Sequence, residues 1–154
     1  MDNIIKFGEE KTKELLDNLG TKYEEVTVSY DKETNVCSIL IKGDDLGILI
    51  GYHGKNLDSL KVMLSLMINK ELGRDNAIRI IININDYSEK RTAQLLAMLE
   101  NAKTVMAARE KNSYAFPPMS PADRRIIHTL AQEMGLKTES EGEGRDRHVN
   151  LVSE

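Results

Sequence analysis

The sequence predicts an α+β protein built from two small domains, residues 1–86 and 87–154. Three observations lead there. Apolar residues recur at three- and four-residue intervals in some stretches and alternate with polar ones in others, so helices and strands are both present. The elements fall into two sets, a first of order αββααβ and a second made of a long helix, a short strand, a helix and a C-terminal β-hairpin. No flexible linker, repeat or low-complexity tract separates the two sets.

The first helix is expected over residues 9–19, where Leu15, Leu16 and Leu19 sit among Lys and Glu and Gly20 supplies a stop, leaving about eight residues ahead of it. Val26, Val28 and Tyr30 alternate with Thr27 and Ser29. After the turn-like Asp31–Asn35 comes the apolar stretch Val36–Ile41, so the pair reads as a hairpin. Leu46–Ile50 reads as a short helix ending at Gly51. From Lys55 onward Leu57, Leu60, Leu64, Met67 and Ile68 keep helical spacing. Ile78, Ile80, Ile82 and Ile84 then alternate as a third strand.

In the second set, Leu95, Leu99, Ala102 and Met106 form the stripe of a long helix. Phe116-Pro117-Pro118 ends helical structure, because proline lacks an amide donor and restricts the residue before it. Ser120, Pro121 and Asp123 then read as N-cap, first-turn proline and capping-box acid of a helix running to about Met134, with Gly135 as its C-cap. Glu141-Gly142-Glu143-Gly144 sits between Leu136–Ser140 and Arg147–Val152, as in an antiparallel hairpin.

Composition excludes several function classes. With one cysteine, Cys37, flanked by apolar residues, no intramolecular disulfide or thiolate cluster can form, and the residue reads as strand packing. The N-terminus lacks the pattern of a signal peptide, and no run approaches the roughly 20 apolar residues that span a bilayer, so the expected location is the cytoplasm. A net charge of -4 argues against coating nucleic acid by bulk electrostatics, so any such site must be local. Residues 1–86 carry 11 basic and 15 acidic side chains, residues 87–154 carry 10 of each, and the basic cluster is Lys103, Arg109, Lys111, Arg124 and Arg125. No nucleophile-base pair, paired carboxylates, H-x-H or H-E-x-x-H appears among His53, His128, His148 and the acids. The expectation is no enzyme, no metal, no cofactor and no small-molecule substrate.

The first candidate site is Gly51-Tyr52-His53-Gly54, followed by Lys55. With 10 glycines in 154 residues, chance supplies about 0.6 such G-x-x-G spacings, so the spacing alone decides nothing. Its setting between two helices matters more: glycines let the backbone approach a sugar-phosphate strand, the next helix offers amide donors at its positive end, and Lys55 adds a cation. Here residues 9–86 resemble the type II, prokaryotic KH domain. The resemblance implies that the loop clamps about four backbone nucleotides while a groove between Leu46–Ile50, the start of the Leu57 helix and one sheet edge receives bases. The two variable loop positions, often basic in that family, are Tyr52 and His53 here, placing a ring for stacking and a donor for phosphate, or else two exposed loop side chains.

The second candidate is Arg124 and His128, four residues apart and hence on one helix face, with Ile126, Ile127 and Leu130 turned toward the core. Arginine offers a planar fork for phosphate oxygens, and histidine a ring that donates or stacks. The stretch Pro118–His128 with Ser140–Val149 resembles the R-three-H domain of the bacterial Jag/KhpB family, in which a KH domain immediately precedes it. That family implies binding of single-stranded RNA, or single-stranded DNA, by a post-transcriptional regulator or RNA chaperone linked to cell envelope growth, elongation or sporulation and peripherally to a membrane-protein insertase. Longer members carry an N-terminal Jag-N domain that a short form of this kind is expected to lack. On the hairpin, Arg145, Arg147 and His148 either extend the phosphate face or form a charged, solvated surface; alternation puts Arg147 and His148 on opposite sides, and Arg147 is expected over His148. The competing reading of the acidic first half is an adaptor whose KH fold dimerises or docks a KH-family partner.

Overall fold

The structure is a computed structural model and describes residues 2–153. Helix α1 (Asp2–Asn18) is longer than expected, beginning at Asp2 rather than near residue 9. Ile4 and Ile5 pack against the core, and Gly8 and Thr12 continue the buried stripe that ends in Leu15 and Leu16. A side chain at Gly8 would stand 2.9 Å from Val28 Cγ1, so this glycine marks close helix–sheet contact rather than a break. The Thr12 hydroxyl is satisfied by donating to the Gly8 carbonyl at 2.6 Å.

Strands β1 (Glu25–Asp31) and β2 (Val36–Lys42) form the hairpin, antiparallel, with Val28 opposite Ile39. Helix α2 (Gly47–Ile50), a 3₁₀ turn at Tyr52–Gly54 and helix α3 (Lys55–Leu72) then cross over to β3 (Arg79–Ile84), which pairs parallel to β2. A parallel neighbour requires such a crossover, which is why the loop is held between two helices above the sheet. Strand order is β1-β2-β3. Leu16, Ile39, Ile41, Leu64, Ile68, Ile80 and Ile84 are fully buried between the helices and the sheet. Cys37 is among the buried residues of β2, and burial pushes its thiol pKa up, as strand packing requires. Asp44 and Asp45 lie in the bend before α2, whose N-cap is Leu46 with no side-chain cap bond.

Helix α4 (Tyr87–Ala108) buries Arg91, Leu95, Leu99, Ala102 and Met106 on one stripe. Strand β4 (Ser113–Ala115) precedes α5 (Pro121–Glu133), and β5 (Lys137–Glu141) and β6 (His148–Val152) form the hairpin. Because β4 also pairs with β6, the hairpin becomes a three-stranded antiparallel sheet of order β4-β6-β5. Its central strand supplies the buried Val149 and Leu151, which join Leu95, Leu99, Phe116, Ile127 and Ala131 in a second core. Ile127 is fully buried, while Ile126 and Leu130 pack at its margin. Met134, not Gly135, is the C-cap of α5. Gly135, at φ 70°, is the next residue, and Leu136 N–H reaches Ala131 O at 2.8 Å in a Schellman arrangement. The chain divides into two compact units, the first ending at Ser88 and the second beginning at Glu89.

Candidate nucleic-acid interface

In the first unit the backbone shapes the site. Gly51 (φ 69°, ψ -171°), His53 (φ 51°) and Gly54 (φ 81°) place three of four loop residues at positive φ. Gly51 occupies a region that only glycine adopts without strain. A Cβ there would lie 2.5 Å from Asn56 Cγ, and Asn56 is occupied in donating from Nδ2 to the Ile48 carbonyl at 2.7 Å. At Gly54 a Cβ would stand 3.0 Å from the Tyr87 hydroxyl. The loop is thus backed on both sides. Gly54 is the N-cap of α3 and, having no side chain, offers no cap bond to the first-turn amides of that helix. Lys55 is exposed beside them.

The Tyr52 and His53 rings stack on each other, centroids 3.9 Å apart and planes at 22°. Beside α2 and the start of α3 lies a cavity of about 270 Å³ lined by Leu19, Ile48, Leu49, Leu60 and Met63, with Asn56 and Ser59 at its polar side. Its third wall is the turn that follows α1, Leu19 and Thr21, where a sheet edge was expected. The reason is that α1 packs against α3 and closes that side of the helical layer.

In the second unit side chains shape the site. Arg124 and His128 are both half-buried on α5. Neither His128 ring nitrogen is open to a ligand, which takes up the donor role, one of the two expected of the ring. Nδ1 lies 2.7 Å from Thr138 Oγ1 and Nε2 2.8 Å from Ser140 Oγ. Thr138 and Ser140 pair with Leu151 and Val149 of the buried β6 face, so the ring is wedged between helix and sheet. Each hydroxyl can donate or accept, so either neutral tautomer is satisfied. Burial and then the neighbouring Arg124 charge lower the His128 pKa from its ordinary value, which keeps the ring neutral at pH 7. Arg124 itself makes no side-chain hydrogen bond or ion pair among the described residues.

The acid next to Arg124 is accounted for elsewhere. Ser120 accepts the Asp123 amide at 3.2 Å, as an N-cap should, but the Asp123 carboxylate does not complete a capping box. It is bound by Arg91 of α4, with Nη2 at 2.6 Å and Nε at 3.3 Å from the carboxylate, while Arg91 Nη1 donates to Gln94 at 3.1 Å. The two residues are 8% and 3% exposed, a buried ion pair. Sequence reasoning passed over Arg91. The available signal was its position one turn ahead of Leu95 on the apolar stripe of α4, where a charge demands a buried partner.

Arg147 is exposed and stands just before β6, so strand alternation begins only at His148. Its carbonyl accepts the Met119 amide at 3.3 Å, tying it to the segment that leads into α5. His148 is half-buried with Nδ1 2.9 Å from the Asp146 carbonyl, and Arg145 is exposed in a 3₁₀ turn. The structure therefore groups Gly51–Lys55 in one unit and Arg124 with His128 in the other. Among the described residues no three His, Cys, Asp or Glu side chains form a metal site, and no helix is long and apolar enough to cross a membrane.

Comparison with known proteins matches both units. Residues 9–84 match the family described as KhpA/KhpB, KH domain, and residues 94–152 match the R-three-H domain. The chain is 36% identical over 126 residues to the RNA-binding protein KhpB of Clostridium symbiosum, covering 81% of this chain and 55% of that protein. It is 31% identical over 131 residues to RNA-binding protein KhpB of Streptococcus pneumoniae serotype 2, covering 84% of this chain and 39% of that protein. Over 62 residues, 40% of this chain, it is 39% identical to DNA-binding protein SMUBP-2 of Rattus norvegicus, 6% of which is covered. The chain thus spans about half, or less, of the length of these relatives. With a KhpA/KhpB-type KH domain followed by an R-three-H domain, the chain belongs to the KhpB family.

Proposed function

We propose that this chain binds single-stranded RNA at two local sites, the Gly51–Lys55 loop and the Arg124 end of α5. The observation that carries the reading is Arg124, a half-buried arginine with no counter-ion among the described residues, beside a histidine fixed in place and an aspartate already neutralised by Arg91. A charge held partly out of water recovers its lost hydration by binding an anion, and the guanidinium fork fits a phosphate. His128 acts as the strut that holds α5 to β5 beneath Arg124, and Arg147 extends the basic face. In the loop, the first-turn amides of α3 and Lys55 meet the strand backbone while Tyr52 and His53 meet its bases or phosphates. The names of the KhpB relatives support RNA as the ligand.

The test is fluorescence anisotropy of short single-stranded RNA across a salt series. Arg124→Ala should weaken binding and reduce the slope of log affinity against log salt by about 0.7, the value of one lost phosphate contact on a single strand. An unchanged slope would make Arg124 a structural residue. The finer role we propose is a cytoplasmic post-transcriptional regulator or RNA chaperone serving envelope growth, elongation or sporulation, with a peripheral link to a membrane-protein insertase. Capture of envelope transcripts by crosslinking in cells tests that role, and a random transcript set would remove it.

A second reading, pairing with another KH-family chain or with a second copy, is favoured by one observation. Ile48, Val62 and Leu66 on α2 and α3 are 73%, 59% and 69% exposed, so apolar side chains face outward from the helical layer. Sedimentation of the chain over a concentration range decides for self-association, and a monomer throughout removes the homodimer.

A further inference from the structure

We infer that the Gly51–Gly54 loop holds a nucleobase by aromatic stacking, with the preformed Tyr52–His53 ring pair as its platform. This deepens the RNA-binding reading and rests on it. Tyr52 is 74% exposed although one face of its ring is covered by His53 at 3.9 Å, so the opposite face is presented to solvent. The arrangement is set by the backbone. His53 is held at φ 51°, an unfavourable conformation for a residue with a side chain, between two glycines that are themselves backed by Asn56 and Tyr87. A ring pair already aligned loses less freedom when a third ring stacks on it than two independently moving side chains would.

The charges around the loop point the same way. Neither variable position carries a lysine or arginine, Lys55 is the one cation within Gly51–Lys55, and Asp44, Asp45 and Asp58 lie close in sequence. A grip based on phosphate neutralisation alone would be weak here, whereas a stacked base needs no net charge and carries little salt dependence. Every base offers a π face, and purines offer the larger one, so the ligand class is a single strand with an unpaired purine at the loop.

The experiment compares a labelled oligoriboadenylate with a strand of equal length carrying abasic ribose, titrated with the full chain over a potassium chloride series. Variants are Tyr52→Ala, Tyr52→Leu and Tyr52→Phe. Tyr52 belongs to neither core, so equal unfolding midpoints should confirm that all three fold. Tyr52→Ala and Tyr52→Leu are expected to lose about fivefold or more in affinity for oligoriboadenylate. Their salt slope and their weak binding of the abasic strand should stay as in the native chain, while Tyr52→Phe should keep native affinity. Native affinity in Tyr52→Leu, or a reduced salt slope in Tyr52→Ala, overturns the stacking platform while RNA binding stands. Failure of the native chain to bind either strand at low salt overturns the RNA-binding reading, and the platform with it.

Discussion

The two units build their candidate sites from opposite materials. In the KH unit the site is a backbone shape. Positive φ at Gly51, His53 and Gly54 sets the loop, and the side chains around it either back it, as Asn56 does, or project from it. In the R-three-H unit the backbone is an ordinary helix, and the site is a set of side-chain bonds. Arg91 takes up Asp123, and Thr138 and Ser140 take up His128, which leaves Arg124 as the group of that set without a partner among the described residues. Each unit is therefore vulnerable in its own way. One should fail through strain when a Cβ is added, the other through an uncompensated charge when a partner is removed.

The largest effect expected from that contrast is at the buried pair. Arg91→Ala strands the Asp123 carboxylate among apolar residues and should destabilise the chain by about 3–5 kcal/mol in urea unfolding. Replacing both partners, Arg91→Met with Asp123→Leu, should recover most of that loss, because it is the stranded charge that costs. A single-variant loss under about 1 kcal/mol would mean the pair is solvated and the contrast between units is overstated.

Next in size is the loop. Gly51→Ala at the native backbone must hold an unfavourable φ and also displace Asn56, and a loss of about 1–3 kcal/mol is expected, with faster amide exchange concentrated around Gly47–Lys55. This also means that acidic substitutions at Gly51 and Gly54 disturb shape as well as charge. Substitution of Lys55 or Tyr52 probes contact more cleanly.

The smallest effect concerns pH. The folded His128 pKa lies below the ordinary 6.5, so the unfolded chain binds more protons in the window between the two values. Stability from this group is therefore full above about pH 6.5 and declines as pH falls through that window. Urea midpoints measured from pH 7.5 downward should show this decline in the native chain and a shallower one in His128→Gln. Equal declines would place the pH dependence on other groups.

Much of the site was legible in the chain. Two glycines three apart between helical periods implied a sharp turn at a helix start, and Arg124 and His128 four apart implied one face of a helix, because both inferences depend only on local geometry. The apolar stripes of α3 and α4 and the proline break at Pro117-Pro118 were readable for the same reason. The start of α1 was not, since Gly8 and Thr12 occupy stripe positions normally held by larger apolar residues, and only the proximity of Val28 explains the glycine.

The order and period of the elements, the positions of the turns and the types of residue available at each candidate site were readable from the chain alone. Those follow from steric rules and side-chain chemistry that act within a turn or two of chain. Which groups remain available depends on long-range packing. Asp123 is withdrawn by an arginine 32 residues away, and His128 is withdrawn by two hydroxyls on a strand that follows it. The cavity beside α2 gains the turn after α1 as a wall, and Tyr52 keeps one exposed face. Partnering of a polar group depends on what packing brings within about 3 Å of it, and local sequence carries no measure of that distance.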